Sequence, residues 1–180
     1  MCDRRPRFVI REVSPKDMEA LDAVERSAAQ AFSAIPGLGW LAHRASPPRH
    51  LSDRVPAGDC RLAATGEGCG IVGFILARRV EVHLHIDEIS VRRDWQRRGI
   101  GQTLMRHVLD AANEQDVVGT TLTTWRDVPW NAPWYRRFGF RVLGAEEAPK
   151  FLSDLLALEC AEGLSPPERV AMIRPKLPSR

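Results

Sequence analysis

Lysine is nearly missing from this chain of 180 residues: there are three, against 23 arginines. Tyrosine occurs once, at position 135. No stretch approaches the ~20 consecutive apolar residues of a membrane span, so membrane integration is not expected. The opening MCDRRPRFVIREV returns to charge after three apolar residues, which gives no signal-peptide core. The four cysteines, Cys2, Cys60, Cys69 and Cys160, include no C-x-x-C pair. Reduced thiols and a cytoplasmic location are therefore expected. No Gly-Lys-Ser/Thr triplet exists, so there is no P-loop. Internal repeats and low-complexity segments are absent as well.

What is present is globular: 44% hydrophobic and 27% charged residues with a net charge of +3. A chain of this length buries about two-thirds of its unfolded surface and needs no disulfide or metal to fold. A single domain over 1–180 is expected, with its core at about 8–174.

The periodicities give a mixed α/β order. Phe8–Val13 is β-leaning. Ser14-Pro15-Lys16-Asp17 reads as a helix start, with Ser at the N-cap and Pro at the first helical position. Met18, Leu21, Val24, Ala28 and Phe32 follow at helical spacing, and Pro36-Gly37 ends the run. Residues 37–58, with Trp40, His43 and His50, have no clean period. Strands are expected at Cys60–Thr65 and Ile71–Val80, joined as a hairpin through Gly66-Glu67-Gly68. A third covers Val82–Val91. Then come a helix over Gly99–Glu114, a strand over Val117–Trp125 and a short helix over Asn131–Phe138. A strand at Phe140–Leu143, a helix over Pro149–Glu162 and a strand at Arg169–Arg174 close the chain.

The most informative stretch is Ile89–Gly101, ISVRRDWQRRGIG. A strand runs into a basic turn, two glycines and a helix. A helix N-terminus presents unpaired N–H groups and a positive dipole end, and glycine lets backbone approach a ligand closely. Arg97 and Arg98 add charge. The arrangement suits a diphosphate-like anion. A dinucleotide fingerprint fails twice: its third glycine position is Leu104, and the strand near 121 offers no acid.

Gln96-Arg97-Arg98-Gly99-Ile100-Gly101 resembles the Q/R-x-x-G-x-G/A motif of the GNAT superfamily of acetyl-CoA-dependent N-acetyltransferases. Tyr135-Arg136-Arg137-Phe138-Gly139-Phe140 is similar to that family's Tyr-x-x-x-Gly-Phe signature, and the order and spacing of the two agree. The resemblance spans about residues 8–174. It implies a single-domain, mostly antiparallel sheet flanked by helices, with splayed fourth and fifth strands. It implies acetyl-CoA as co-substrate, with Ile89, Ser90 and Val91 offering backbone to the pantetheine arm. Gln96, Arg97, Arg98, Gly99, Ile100 and Gly101 would hold the pyrophosphate. Tyr135 would protonate the leaving thiolate.

A base must take a proton from the attacking amine. His83, His85 and Asp87 alternate on one face of the third predicted strand of the hairpin region, and Glu88 lies on the other unless a bulge re-aims it. Asp87 ranks first, followed by Glu88 and His85. His83 reads as a strand residue without a catalytic role. A zinc site on His83, His85 and Asp87 is a weaker reading, and no metal is expected. Two positions depart from the family pattern. Val128 stands where many members carry a cofactor-touching Asn, with Asn131 displaced from it. Thr123 stands where members that modify protein N-termini carry a Glu. Trp40 and the Trp/Pro-rich segment 126–134 are expected to wall the acceptor site.

The expected reaction is transfer of acetyl to a primary amine of a small molecule by direct attack in a ternary complex. Protein or peptide amines, and a non-catalytic acyl-CoA sensor, are the alternatives. The arginine cluster at 92, 93, 97 and 98 also suggests nucleic-acid binding, but no recognition helix or lysine-rich tail accompanies it, so no nucleic-acid partner is expected. A homodimer is left open.

Overall fold

The computed structural model describes residues 7–43, 61–164 and 168–176. Cys2, His50 and Cys60 lie outside them. The strands are β1 (Phe8–Glu12), β2 (Arg61–Gly66), β3 (Gly70–Val80), β4 (His83–Val91), β5 (Gly119–Trp125), β6 (Arg141–Val142) and β7 (Arg169–Pro175). The helices are α1 (Met18–Ala29), α2 (Ile100–Glu114), α3 (Ala132–Arg136) and α4 (Lys150–Ala161). The strand order is β1-β2-β3-β4-β5-β7-β6. Contacts divide the chain into two compact units. One comprises Met1–Arg78 and Asp87–Ala111, the other Arg79–Ile86 and Ala112–Arg180.

In the first unit β1, β2 and β3 form an antiparallel meander, registered by Ile10 opposite Ala64 and Ala63 opposite Phe74. Helix α1 lays Leu21 and Val24 onto this sheet against Val13, Ala63, Ile71, Phe74 and Leu76. Burying each such aliphatic side chain contributes about 1.5–3 kcal/mol, which stabilises a helix too short to hold by itself in water. The expected Ser14 start is a single 3-10 turn, Pro15–Asp17, leading into α1. Its Asp17 carboxylate accepts the Ser14 N–H at 2.7 Å and two bonds from the Arg11 guanidinium at 2.6 and 2.9 Å. The expected helix past Ala29 tightens into a 3-10 turn, Gln30–Ala34, and a second such turn covers Gly39–Ala42.

Helix α2 buries Ile100, Leu104, Met105 and Val108 at one-residue-in-four or -three spacing. Its first turn approaches β3 at Gly73. A Cβ there would stand 2.9 Å from Ile100 Cγ2 and 3.2 Å from the Ser90 carbonyl oxygen. Glycine is therefore what lets β3, the end of β4 and the start of α2 close together.

In the second unit β5 and β7 pair antiparallel over their whole length, from Gly119 opposite Pro175 to Trp125 opposite Arg169. β6 pairs antiparallel with β7. β4 pairs with β5 in parallel, His83 to Gly119, Leu84 to Thr120 and His85 to Thr121. That register ends at His85, although β4 continues to Val91. Helix α4 buries Leu152 and ends in a Schellman turn: Gly163 adopts φ 89°, and the Leu164 N–H reaches the Glu159 carbonyl at 2.9 Å. α3 and β6 are shorter than the expected Asn131–Phe138 and Phe140–Leu143: beyond Arg136 the chain continues in turns, with the Phe138 and Gly139 N–H groups donating to the Tyr135 and Arg136 carbonyls, and Gly139 at φ 87° leads out of them.

Candidate functional site

The segment between β4 and α2 is built as a braced turn. Arg92 donates its N–H to the Val72 carbonyl at 2.8 Å, which ends β4 against β3. A 3-10 turn, Arg93–Trp95, follows. Trp95 is 5% exposed and lies over Gly66 of β2, where a Cβ would come within 2.6 Å of the ring. The glycine in β2 thus makes room for the indole that anchors the turn. Gln96 then folds its amide back to the Val91 carbonyl at 3.0 Å.

Arg97 and Gly99 both take left-handed backbone, with φ 62° and 87°. For arginine this conformation carries a steric cost of about 1–2 kcal/mol. Strain of this kind is kept where the backbone must present its N–H groups in a particular way, as in an anion-binding nest. A Cβ built on Gly99 meets nothing within 4 Å. The protein's own packing does not fill that space. Arg97, Arg98 and Gly99 are exposed, and Ile100 is buried under the turn as the first residue of α2. Gly101 follows within the first helical turn.

The four arginines of the cluster have different roles. Arg92 binds Asp94 through two bonds at 2.7 and 2.8 Å. Arg93 donates to the Gln30 carbonyl at 2.7 Å. Arg98 lies over the Trp95 ring at 4.9 Å, a cation–π contact. Three of the four are therefore engaged with the protein itself, which weakens the case for a nucleic-acid surface.

The strand-four candidates also separate. Asp87 accepts from Arg78 Nε at 3.0 and 3.1 Å, and its side chain is 11% exposed. Glu88 accepts the Ser90 hydroxyl at 2.7 Å, and Ser90 is buried. Both pairs lie in the first unit, with Ile89 and Val91 half-buried beside them. Asp87 thus has a cationic neighbour in Arg78, while Glu88 is bonded to a neutral hydroxyl.

In the second unit His85 is 1% exposed, with Nδ1 at 3.0 Å from Thr121 Oγ1 and its ring edge-on to Phe151 at 5.9 Å. His83 is buried against the same ring at 5.6 Å. Burial pushes the His83 imidazole pKa down, with Glu81 pulling weakly the other way. Among the described residues no group of three His, Cys, Asp or Glu could hold a metal ion. Asp87 is engaged by Arg78 and His85 faces Thr121, which accounts for why the alternating trio does not form a ligand set.

Tyr135 is 8% exposed, at the end of α3. Its ring meets Trp134 at 5.1 Å and Phe140 at 5.9 Å. Asn131 precedes α3, and its carbonyl accepts the N–H groups of Trp134 and Tyr135 at 2.8 and 3.0 Å. Val128 is buried.

The sequence reading missed one carboxylate. Thr123 donates its hydroxyl to Glu159 of α4 at 2.6 Å, and Arg169 of β7 bonds both partners. An acid from α4, 36 residues downstream, therefore lies against Thr123 of β5 and is paired with arginine. Nothing local in the sequence signals it.

The fold has counterparts in known proteins. The model of the acetyltransferase (GNAT) family matches residues 24–140. Among solved structures, the PaiA N-acetyltransferase of Thermoplasma acidophilum, in complex with coenzyme A, is 18% identical with a TM-score of 0.66, over 94% of this chain and 99% of that one. The ribosomal-protein-S18-alanine N-acetyltransferase of Escherichia coli is 17% identical with a TM-score of 0.62, over 97% of both chains. Nourseothricin acetyltransferase is 17% identical with a TM-score of 0.62, over 94% of this chain and 99% of that one. At these identities the structures establish a shared fold, while the family match covers more than half of the chain. The protein belongs to the acetyltransferase (GNAT) family.

Proposed function

We propose that the protein transfers an acetyl group from acetyl-CoA to a primary amine. The observation that carries this reading is the turn at 96–101: left-handed backbone at Arg97 and Gly99, open space over Gly99, and a helix N-terminus directly behind. Together these fit the pyrophosphate of a CoA ester. Structures of the same fold crystallised with coenzyme A support the choice of cofactor. Bound there, acetyl-CoA supplies the thioester that the amine attacks.

The chain's own groups would then act as follows. Backbone N–H groups of 97–101 and the dipole of α2 hold the pyrophosphate. Ile89, Ser90 and Val91 present the part of β4 that lies beyond its register with β5, so their polar backbone can pair with the amides of the pantetheine arm. A strand-four N–H polarises the thioester carbonyl. Glu88, oriented by Ser90, accepts the amine proton in preference to Asp87, whose carboxylate faces Arg78. His85 is the third candidate base. Tyr135 donates a proton to the departing thiolate.

A small-molecule acceptor is our reading, since β5 has Thr123 where members that modify protein N-termini carry a Glu, and the neighbouring Glu159 of α4 is tied to Arg169. The fold neighbours act, by name, on both an antibiotic and a ribosomal protein. A panel of amines, amino acids, peptides and aminoglycosides with acetyl-CoA and a thiol readout tests the proposal. Thiol release with small amines and none with peptides is the expected result. Absence of acetyl-CoA binding in calorimetry would remove the proposal altogether.

A further inference from the structure

Arg93 stands at the junction of β4 and the cofactor turn, and its bonds run away from that turn. Its N–H donates to Ser27 Oγ at 3.1 Å, and its guanidinium donates to the carbonyl of Gln30 at 2.7 Å. Gln30 is the C-cap of α1, so the cation also sits at the negative end of that helix. Gln30 in turn donates its side-chain amide to the Ala42 carbonyl at 2.7 Å. Ala42 closes the 3-10 turn Gly39–Ala42, which carries the exposed Trp40. Arg93 is thus bonded to Ser27 of α1 and to Gln30, and a further bond within 30–43 carries the connection on to Ala42; all these residues lie in the first unit.

Catalysis requires the amine within near-attack distance of the thioester. We infer that Arg93 is a positioning residue: it couples the cofactor turn to the Trp40 segment, so that holding the anion orders the surface on which the acceptor rests. Arg93 itself touches neither the anion nor the reacting atoms. The physical link is loss of backbone freedom. An anion held by N–H groups fixes the strained turn, the fixed turn fixes Arg93, and Gln30 and Ala42 then lose freedom through their bonded carbonyls. A second ligand meets an already ordered wall, which gives positive coupling without a change of shape. This rests on the reading that 96–101 bind acetyl-CoA.

Hydrogen exchange with acetyl-CoA as the probe tests it. In the wild type, acetyl-CoA should slow exchange in peptides covering 30–43 about fivefold, the low end of ordinary coupling. Arg93→Ala should bind acetyl-CoA and protect 96–101 normally, yet leave 30–43 unprotected. Gln30→Ala should break the same link one bond further on, and Arg93→Lys, which keeps a donor for the Gln30 carbonyl, should restore part of the effect. A merely structural role for Arg93 would raise exchange in 30–43 with and without acetyl-CoA alike and would leave the ligand-induced difference in place. That result, or a wild type whose 30–43 peptides ignore bound acetyl-CoA, overturns the inference. A wild type that binds no acetyl-CoA overturns the cofactor reading, and the inference with it.

Discussion

Arg78 Nε lies 3.0 and 3.1 Å from the two carboxylate oxygens of Asp87, across the hairpin that joins β3 to β4. This pair is the ground on which we propose Glu88 ahead of Asp87 as the base. A carboxylate facing a guanidinium has less reason to take a proton from an ammonium ion than one held only by a hydroxyl. Glu88→Gln should therefore lower kcat about 10²-fold or more with an accepted amine, and Asp87→Asn should lower it less. Arg78→Ala should cost about 1–2 kcal/mol of stability, because it leaves a half-buried carboxylate without its partner at a site where solvent screens part of the loss. Equal rates in Glu88→Gln and wild type would move the base to His85 or to solvent.

The cofactor turn gives a second expectation. Gly101→Val places a branched side chain in the first turn of α2, beside the proposed pyrophosphate. Acetyl-CoA affinity should fall at least tenfold, which is about 1.4 kcal/mol. The melting temperature should change by only a few degrees, since valine has no lower helix propensity than glycine. Calorimetry on the folded variant is the check, and unchanged affinity would remove this turn from the cofactor site.

Tyr135→Phe tests the leaving-group role. The ring packs on Trp134 and Phe140, and phenylalanine keeps that packing. The fold should survive, so the loss reports on the hydroxyl. A general acid is worth about 10²–10⁴ in rate, on the order of 3–5 kcal/mol of barrier. Steady-state kinetics should show kcat falling with KM for acetyl-CoA nearly constant. A change within about twofold would assign Tyr135 to packing alone.

How much of this was legible beforehand follows from how local each feature is. The turn at 96–101 lies within one stretch of sequence, so its glycines and its strand–turn–helix context could be read directly. The left-handed φ of Arg97 could not, because nothing in Gln-Arg-Arg-Gly says which residue bears the strain. Trp95 stood in the motif, but its seat depends on Gly66, in a different strand. Arg78 meets Asp87 through the register of a hairpin whose turn, at Glu81 with φ 52°, is not a glycine turn. The Thr123–Glu159–Arg169 network joins β5, α4 and β7, and no periodicity within one element points to the other two. Strand alternation placed His83 and His85 on one face correctly, but their burial comes from Phe151 of α4, far along the chain.

Acid stability should depend on Asp17. The Arg11 guanidinium, with the Ser14 N–H, holds its carboxyl pKa well below the usual range. The folded pKa is depressed, so the unfolded chain binds more protons in acid. The stabilisation is therefore complete above the unfolded pKa of about 3.9 and is lost as pH falls below it. Arg11→Ala should cost about 0.5–1 kcal/mol at neutral pH, given that Arg11 is largely exposed. It should also make the loss of stability below about pH 4 shallower. Chemical denaturation at pH 7 and pH 3 compares the two slopes, and parallel curves would mean that the pair does not hold in solution.

His83 should give the opposite kind of evidence, from a group that is buried without a hydrogen-bond partner. Its Nδ1 has none among the described residues, and its ring lies 5.6 Å from Phe151. Burial lowers its pKa below that of a free imidazole, and Glu81 offsets this only in part. Its neighbours across the strands and helix are His85, Gly119 and Phe151, so Glu81 is the one opposing charge identified. With the folded pKa lowered, the unfolded chain takes up the proton first as pH falls. Stability is then fully present above the unfolded value of about 6.5 and declines as pH drops through it. His83→Leu removes both the orphaned nitrogen and the titration while keeping an apolar contact for Phe151. At pH 7.5 it should be neutral or more stable by up to about 1 kcal/mol, since an unpaired buried polar atom is exchanged for a methyl group. Between pH 6.5 and 5 its stability should fall less than that of the wild type, so the two unfolding curves separate further as the solution becomes more acidic. Equal separation at pH 7.5 and pH 5 would show that the His83 proton is not linked to folding, and a variant less stable at both would show that the imidazole makes a bond that its burial conceals.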